Sequence, residues 1–88
     1  MKTEFKSSFA RDLRKLNDAA TLARVQHLIT LVKQTGSLDQ IPGVKKLQSS
    51  GNHYRIRLGD YRVGIIVSGE TVTFVRFLHR RDIYRYFP

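Results

Sequence analysis

Two short runs of this chain concentrate basic and aromatic side chains. The first holds His53, Tyr54, Arg55 and Arg57, with Arg62 close behind; the second holds His79, Arg80, Arg81 and Tyr84. Such a set can cut RNA without a metal ion. The ribose 2′-OH attacks the adjacent phosphorus, a base removes its proton, and an acid protonates the leaving 5′-oxygen. Fixed cations stabilise the extra negative charge in the transition state. RNA carries its own nucleophile for this chemistry and DNA does not. Other reaction classes find less support. The chain has no phosphate-binding glycine loop, no helical His-Glu zinc motif and no nucleophile elbow. Its seven carboxylates are dispersed, which argues against a two-metal nuclease. Ser68 beside Gly69 reads as turn chemistry rather than a nucleophile. No metal and no cofactor are expected.

The arginines need a strand to hold them. Tyr54, Ile56 and Leu58 alternate with Arg55 and Arg57, the period of a half-buried strand. Gly59-Asp60 reads as a two-residue hairpin turn. That turn sets Arg57 opposite Arg62 and Arg55 opposite Gly64, so all three arginines project from one face. Like charges facing each other across a strand pair destabilise it. A phosphate-bearing ligand would compensate, because guanidinium groups match phosphate oxygens bidentately. Gly64 is expected to leave room for a backbone to approach. The plainer reading of the same residues is a solvated polar face.

The charge distribution favours a polyanionic partner. Of 88 residues, 16 are Lys or Arg and 7 are Asp or Glu, a formal charge of +9. A small basic domain attracts nucleic acid, an acidic protein or anionic lipid. Lipid is disfavoured, since no helix joins a basic face to aromatic anchors. Every lysine lies before residue 47, whereas Arg55, Arg57, Arg62, Arg76, Arg80, Arg81 and Arg85 follow Gly51. These arginines interleave with Tyr54, Tyr61, Phe77, Tyr84 and Tyr86, as on surfaces where aromatics stack on bases and arginines hold phosphates. The chain has no cysteine, so disulfides and thiolate metal sites are excluded and a cytoplasmic setting fits. No signal-type start or long apolar run points to a membrane.

The expected architecture is α+β over residues 1–88 as a single domain. Lys2 to Phe5 forms a short N-terminal strand. Ser7 or Ser8 caps a first helix carrying Phe9, Leu13 and Leu16. Asn17-Asp18 caps a second, with Leu22, Val25, Leu28, Ile29 and Val32 at helical spacing and Gly36 at its end. The two helices form an antiparallel hairpin. Residues 36–43 are a loop anchored by Leu38 and Ile41. A three-stranded antiparallel meander follows, over about Tyr54–Leu58, Tyr61–Val67 and Thr71–Leu78. The core should comprise Leu13, Leu16, Leu22, Leu28, Ile29, Ile56, Leu58, Val63, Ile65, Val67, Val72 and Phe74. The other sheet face should stay open, and the last helical turn should fray.

With these elements in place, the chain resembles the RelE/ParE superfamily of bacterial toxins. The residues that carry the resemblance are Lys46-Leu47, the run from Tyr54 to Arg62, and His79-Arg80-Arg81-Asp82-Ile83-Tyr84. The likeness covers nearly the whole chain and implies a RelE-like fold. It implies a toxin of a type II toxin–antitoxin system. RelE-like members are ribosome-dependent mRNA endonucleases that inhibit translation, whereas ParE-like members poison DNA gyrase without nuclease activity. Both are neutralised by a cognate antitoxin, here expected to be acidic and to form a hetero-oligomer with the toxin. Ribosome and mRNA are the other implied partners.

The resemblance also assigns residues. Arg62 matches the arginine that contacts the scissile phosphate. Arg80 matches the one assigned to leaving-group protonation or charge stabilisation, and Tyr84 the tyrosine that stacks on the mRNA base. Arg55 and Arg57 stand where RelE has lysines, and Gln48 where it has an arginine. Arginine effectively cannot lose its proton, so the base must lie elsewhere or these positions only bind phosphate. His79 is the titratable substitute, and the alternative is that it merely ends a strand beside Tyr61. Arg55, Arg57, Arg81 and Lys46 complete the expected RNA contacts. Three functions stay open: mRNA endonuclease, gyrase inhibitor, and nucleic-acid-binding module without toxicity.

Overall fold

The computed structural model describes residues 1–47 and 51–88. One five-stranded sheet runs through it. The strands are β1 (Lys2–Phe5), β2 (Val44–Lys46), β3 (His53–Leu58), β4 (Tyr61–Ser68) and β5 (Thr71–His79), in the order β1-β5-β4-β3-β2. β1 lies parallel to β5, and the other pairs are antiparallel. The meander is as expected, but β2 lengthens the sheet by a strand. Three residues with two lysines carry no alternation to read, and short lysine-bearing strands are how sheets protect an edge.

Helices α1 (Ser7–Arg14) and α2 (Ala19–Gln34) cover one face. Lys6, not a serine, occupies the N-cap of α1 and makes no side-chain bond there. Ser8 instead donates its hydroxyl to the carbonyl of Val75 on β5. Asp18 does cap α2, accepting from the N–H groups of Ala20 and Thr21 and from the Thr21 hydroxyl at 2.7 Å. The Thr21 hydroxyl, ahead of its backbone N–H, holds the Asp18 carboxyl below its ordinary value of 3.8. A depressed carboxylate contributes stability above its unfolded pKa and loses it as pH falls through the folded one. Asp18→Ala should therefore lower the melting temperature. The gap between the two proteins should be constant above about pH 5 and close as the pH drops below the carboxylate range. Thermal melts at several pH values check this. Gly36 follows α2 without a left-handed backbone, because Thr35 ends the helix in an extended conformation.

Phe9, Val25, Leu28, Val32, Ile41, Ile56, Val63, Ile65, Val72, Phe74 and Phe77 form the main core between helices and sheet. Leu13, Leu16, Ile29, Leu58 and Val67 pack around it. Leu22, expected inside, is exposed near the start of α2. Phe77 joins the core rather than a ligand surface, its ring stacked on Tyr61 at 4.8 Å. A register shift between Gly64 and Ile65 explains its inward position. Ile65 pairs with Phe74 and Gly64 with Arg76, so Val75 is the extra residue of a bulge. The bulge lets Phe74 and Phe77 both face inward although they are three apart.

The same bulge turns Arg76 out of the core. Its Nε donates to Asp12 Oδ2 at 2.7 Å and Nη2 to Oδ1 at 3.1 Å. Asp12, buried on α1, also accepts from the Phe77 N–H at 3.0 Å. A carboxylate thus closes the edge of β5 beyond its pairing with β1, and the bond from Asp12 raises the guanidinium pKa further. Arg76 is a structural residue, tied to α1.

The second sheet face is not open throughout. Helix α3 (Ile83–Tyr86) lies over it, and Leu47, Ile83 and Phe87 form a second buried cluster with Val75 and Leu78. The C-terminal turn is therefore docked by two fully apolar anchors rather than frayed. No helix among the described residues is long and apolar enough to cross a membrane.

Candidate nucleic-acid interface

The Gly59-Asp60 turn organises one part of the site. Gly59 has φ +60°, the conformation a hairpin with glycine at its first central position requires. Leu58 then faces Tyr61, Arg57 faces Arg62 and Arg55 faces Gly64, as the alternation dictates. Arg62 folds back over the turn, its Nη1 donating to the carbonyls of Gly59 at 2.9 Å and Tyr61 at 2.8 Å. The backbone N–H of Arg80 donates to the Asp60 carbonyl at 2.8 Å. Arg62 on β4 and Arg80, just beyond β5, are thus brought to the same hairpin.

A second part lies further along the same face. The Arg55 guanidinium sits 4.3 Å from the centroid of the Tyr84 ring, within cation–π range. Both border a cleft of about 440 Å³ with Lys45, Lys46, Leu47, Phe87 and Pro88. Tyr84 is 72% exposed, so α3 is held by Ile83 and Phe87 while Tyr84 points outward. Helical spacing produces this division: Ile83 and Phe87 are four apart and share one side.

Gly64 has a different use from the one its sequence position suggests. A Cβ there would lie 2.7 Å from two atoms of the Phe87 ring. The room left by the missing side chain is filled by Phe87, not by an approaching ligand backbone. Gly64→Ala should push the ring off the sheet and cost about 1–3 kcal/mol, the usual range for overpacking. Urea unfolding measures the loss, and added hydrogen exchange in residues 83–87 locates it.

His79 does not join the arginine face. It pairs with Tyr61, whereas Arg62 pairs with Leu78, so alternation sends His79 and Arg62 to opposite sides of the sheet. Its ring stands edge-on to Tyr61 at 5.7 Å. Its Nδ1 accepts from the Arg81 N–H at 3.2 Å. The histidine expected as base thus stands on the sheet side opposite Arg62. His79 instead borders a separate cleft of about 620 Å³ with Lys15, Tyr61, Asp82 and Tyr86.

The remaining candidates separate by register. Lys46 pairs with Tyr54, whose side chain packs on the main core, while Lys45 pairs with Arg55. Lys45 is therefore the lysine in the arginine row, and the pairing of β2 was the signal needed to find it. Arg57 is exposed beside Gly43, to whose carbonyl its N–H donates at 3.0 Å. Arg81 is exposed beyond β5. His53 lies 5.4 Å from the Phe87 ring. Gln48 falls outside the described residues.

A family model described as the ParE toxin of type II toxin–antitoxin systems, parDE, matches residues 3–84. The chain belongs to this toxin family. It is 39% identical over 89 residues to Toxin RelE3 of Methanocaldococcus jannaschii, and the match covers all of both chains. Among solved structures, it is similar to the RelB-RelE antitoxin-toxin complex of Methanococcus jannaschii. That match has a TM-score of 0.83 and 38% identity, and it covers 97% of this chain and 99% of the other. The archaeal RelE-RelB complex of Pyrococcus horikoshii OT3 gives a TM-score of 0.74 at 23% identity, covering 90% and 93%. That second likeness is one of fold. In this ParE-family toxin, Arg62 and Arg80 lie at the hairpin, while Arg55 and Tyr84 lie where the sheet meets α3.

Proposed function

We propose that this toxin is a RelE-type mRNA endonuclease that acts on the translating ribosome in the cytoplasm. The observation that carries the reading is the meeting of Arg62 and the Arg80 backbone at one hairpin, on the sheet face where Arg55 lies against an exposed Tyr84 ring. Arg62 would hold the scissile phosphate. Arg80 would stabilise the charge that develops on the leaving side. Tyr84 would stack on a base, and Arg55, Arg57, Arg81 and Lys45, which replaces the expected Lys46 in the arginine row, would guide the strand. The 2′-oxygen attacks phosphorus, the bond to the 5′-oxygen breaks, that oxygen takes a proton from water, and a 2′,3′-cyclic phosphate and a 5′-hydroxyl result. Arginines cannot take up the 2′-OH proton, so it passes to water or to a ribosomal group. Catalysis then rests on positioning and charge stabilisation, which together can supply several kcal/mol or more of the barrier. Ribosome dependence follows, because a message held in the decoding site is already positioned.

The partner is an acidic antitoxin that covers the basic face in a hetero-oligomer. Support comes from the +9 charge and from the RelB-RelE assembly of the 38%-identical structure. A cell-free translation assay run beside a gyrase supercoiling assay tests the functional reading. Truncated messages with supercoiling intact are expected. Blocked supercoiling with intact messages would instead establish a gyrase inhibitor.

A further inference from the structure

We infer that the free edge of β1 is a self-association surface, on which two copies of this chain pair antiparallel through residues 1–5 about a two-fold axis at Thr3.

The sheet has two edges, and their sequences differ in kind. β2, at one edge, is Val44-Lys45-Lys46. Antiparallel self-pairing centred on Lys45 would set that lysine against its own copy, and like charges directly opposite destabilise a strand pair. That edge is guarded. β1, at the other edge, is Lys2-Thr3-Glu4-Phe5 and carries one charge of each sign. Rotation about Thr3 brings Lys2 opposite Glu4 of the second copy and Glu4 opposite its Lys2. The strand is complementary to itself, as an isologous contact requires.

The backbone register agrees. The N–H groups of Lys2 and Lys6 donate to the carbonyls of Glu70, just ahead of β5, and Phe74, at 2.8 and 2.9 Å. Successive residues alternate sides, so the peptide groups of Thr3 and Phe5 point to the open edge. Thr3 can then exchange both main-chain bonds with its copy. Lys2 and Glu4, both exposed, fall in the flanking positions without such bonds, where side chains come closest. On the opposite face Phe5 comes to Met1 of the second copy. Phe5 is stacked on Phe74 at 5.2 Å yet 48% exposed, an apolar ring at the sheet edge that the second copy would cover.

Two chains of charge +9 repel each other. The molecule measures 33 × 28 × 23 Å, however, and at physiological salt the Debye length is about 8 Å, so charges remote from the seam are screened. β3 and β4, which carry Arg55, Arg57 and Arg62, lie on the far side of β5 from the seam, and the arginine face stays uncovered. So short a strand makes a small contact, and the dimer is accordingly weak. An extended segment of another protein would have to supply its own match to Lys2 and Glu4, whereas a second copy already carries it.

Sedimentation velocity of the free toxin at physiological salt, from micromolar to millimolar concentration, tests the seam. The parent should pass from monomer to dimer over that range. Lys2→Glu and Glu4→Lys each oppose like charges at both ends of the seam, and each should raise the dissociation constant about tenfold. Mixed in equal amounts, the two variants regain opposite charges at both ends and should form a heterodimer with the parent's affinity. Thr3→Pro removes an N–H that points away from β5, so β1 keeps its bonds to the sheet. That variant should stay monomeric and keep the parent's thermal transition. If Thr3→Pro loses the fold, the charge-swapped pair decides alone. A parent that remains monomeric at millimolar concentration would overturn the inference. So would charge variants that associate like the parent, a mixture that gains nothing over either variant, or a dimer that survives in folded Thr3→Pro.

Discussion

Arg62→Ala and Arg80→Ala should each lower cleavage of ribosome-bound mRNA by about 10²–10³-fold while leaving the thermal unfolding transition in place. That is the usual cost of removing one preorganised group that stabilises transition-state charge. The Arg62 side chain bonds the Gly59-Asp60 turn, and the backbone N–H of Arg80 holds that residue against the same turn. Neither contributes to the apolar cores, so their loss should be one of chemistry rather than of folding. His79→Gln provides the contrast. His79 lies on the other side of the sheet with Nδ1 engaged by the Arg81 N–H. The variant should cut at close to the parent rate, with the parent's pH dependence. Single-turnover assays on programmed ribosomes measure all three. A large loss at His79 alone would return the proton-transfer role to the imidazole.

Ile65→Ala should destabilise the fold by about 2–5 kcal/mol, read from the urea midpoint at an unchanged m-value. Ile65 is fully buried, pairs with Tyr54 on β3 and Phe74 on β5, and follows the bulge directly. A cavity there opens at the centre of the sheet, where strands on both sides limit relaxation. A small domain has little stability in reserve. The same substitution should therefore remove toxicity in cells by lowering the folded population, with purified folded protein retaining its cleavage rate at low temperature.

Much of this arrangement could be read from local pattern. The Tyr54–Leu58 alternation and the Gly59-Asp60 turn determine the facing of Arg55, Arg57 and Arg62, and the register has those partners. Asp18 announces α2 because a carboxylate two and three residues ahead of free N–H groups is a local relation. What escaped depends on contacts distant in sequence. Asp12 and Arg76 lie 64 residues apart, and neither shows its partner in its own neighbourhood. The alternation rule sends His79 to the Tyr61 face, but only once the bulge at Val75 has been counted. Gly64 looked like space for a ligand until Phe87 filled it. The cleft beside Tyr84 needed β2, whose three residues are too few to carry a periodic signal and whose pairing alone selects Lys45 over Lys46.

On the proposed mechanism, the arginine hairpin and Tyr84 cut translated messages. Mapping mRNA 5′ ends genome-wide after brief expression tests it most directly, with Arg62→Ala expressed to the same level as the control. New 5′ ends are expected within translated codons, in phase with the reading frame, and they should vanish in Arg62→Ala. Growth arrest by the parent with no new 5′ ends, or with ends outside translated frames, would contradict it.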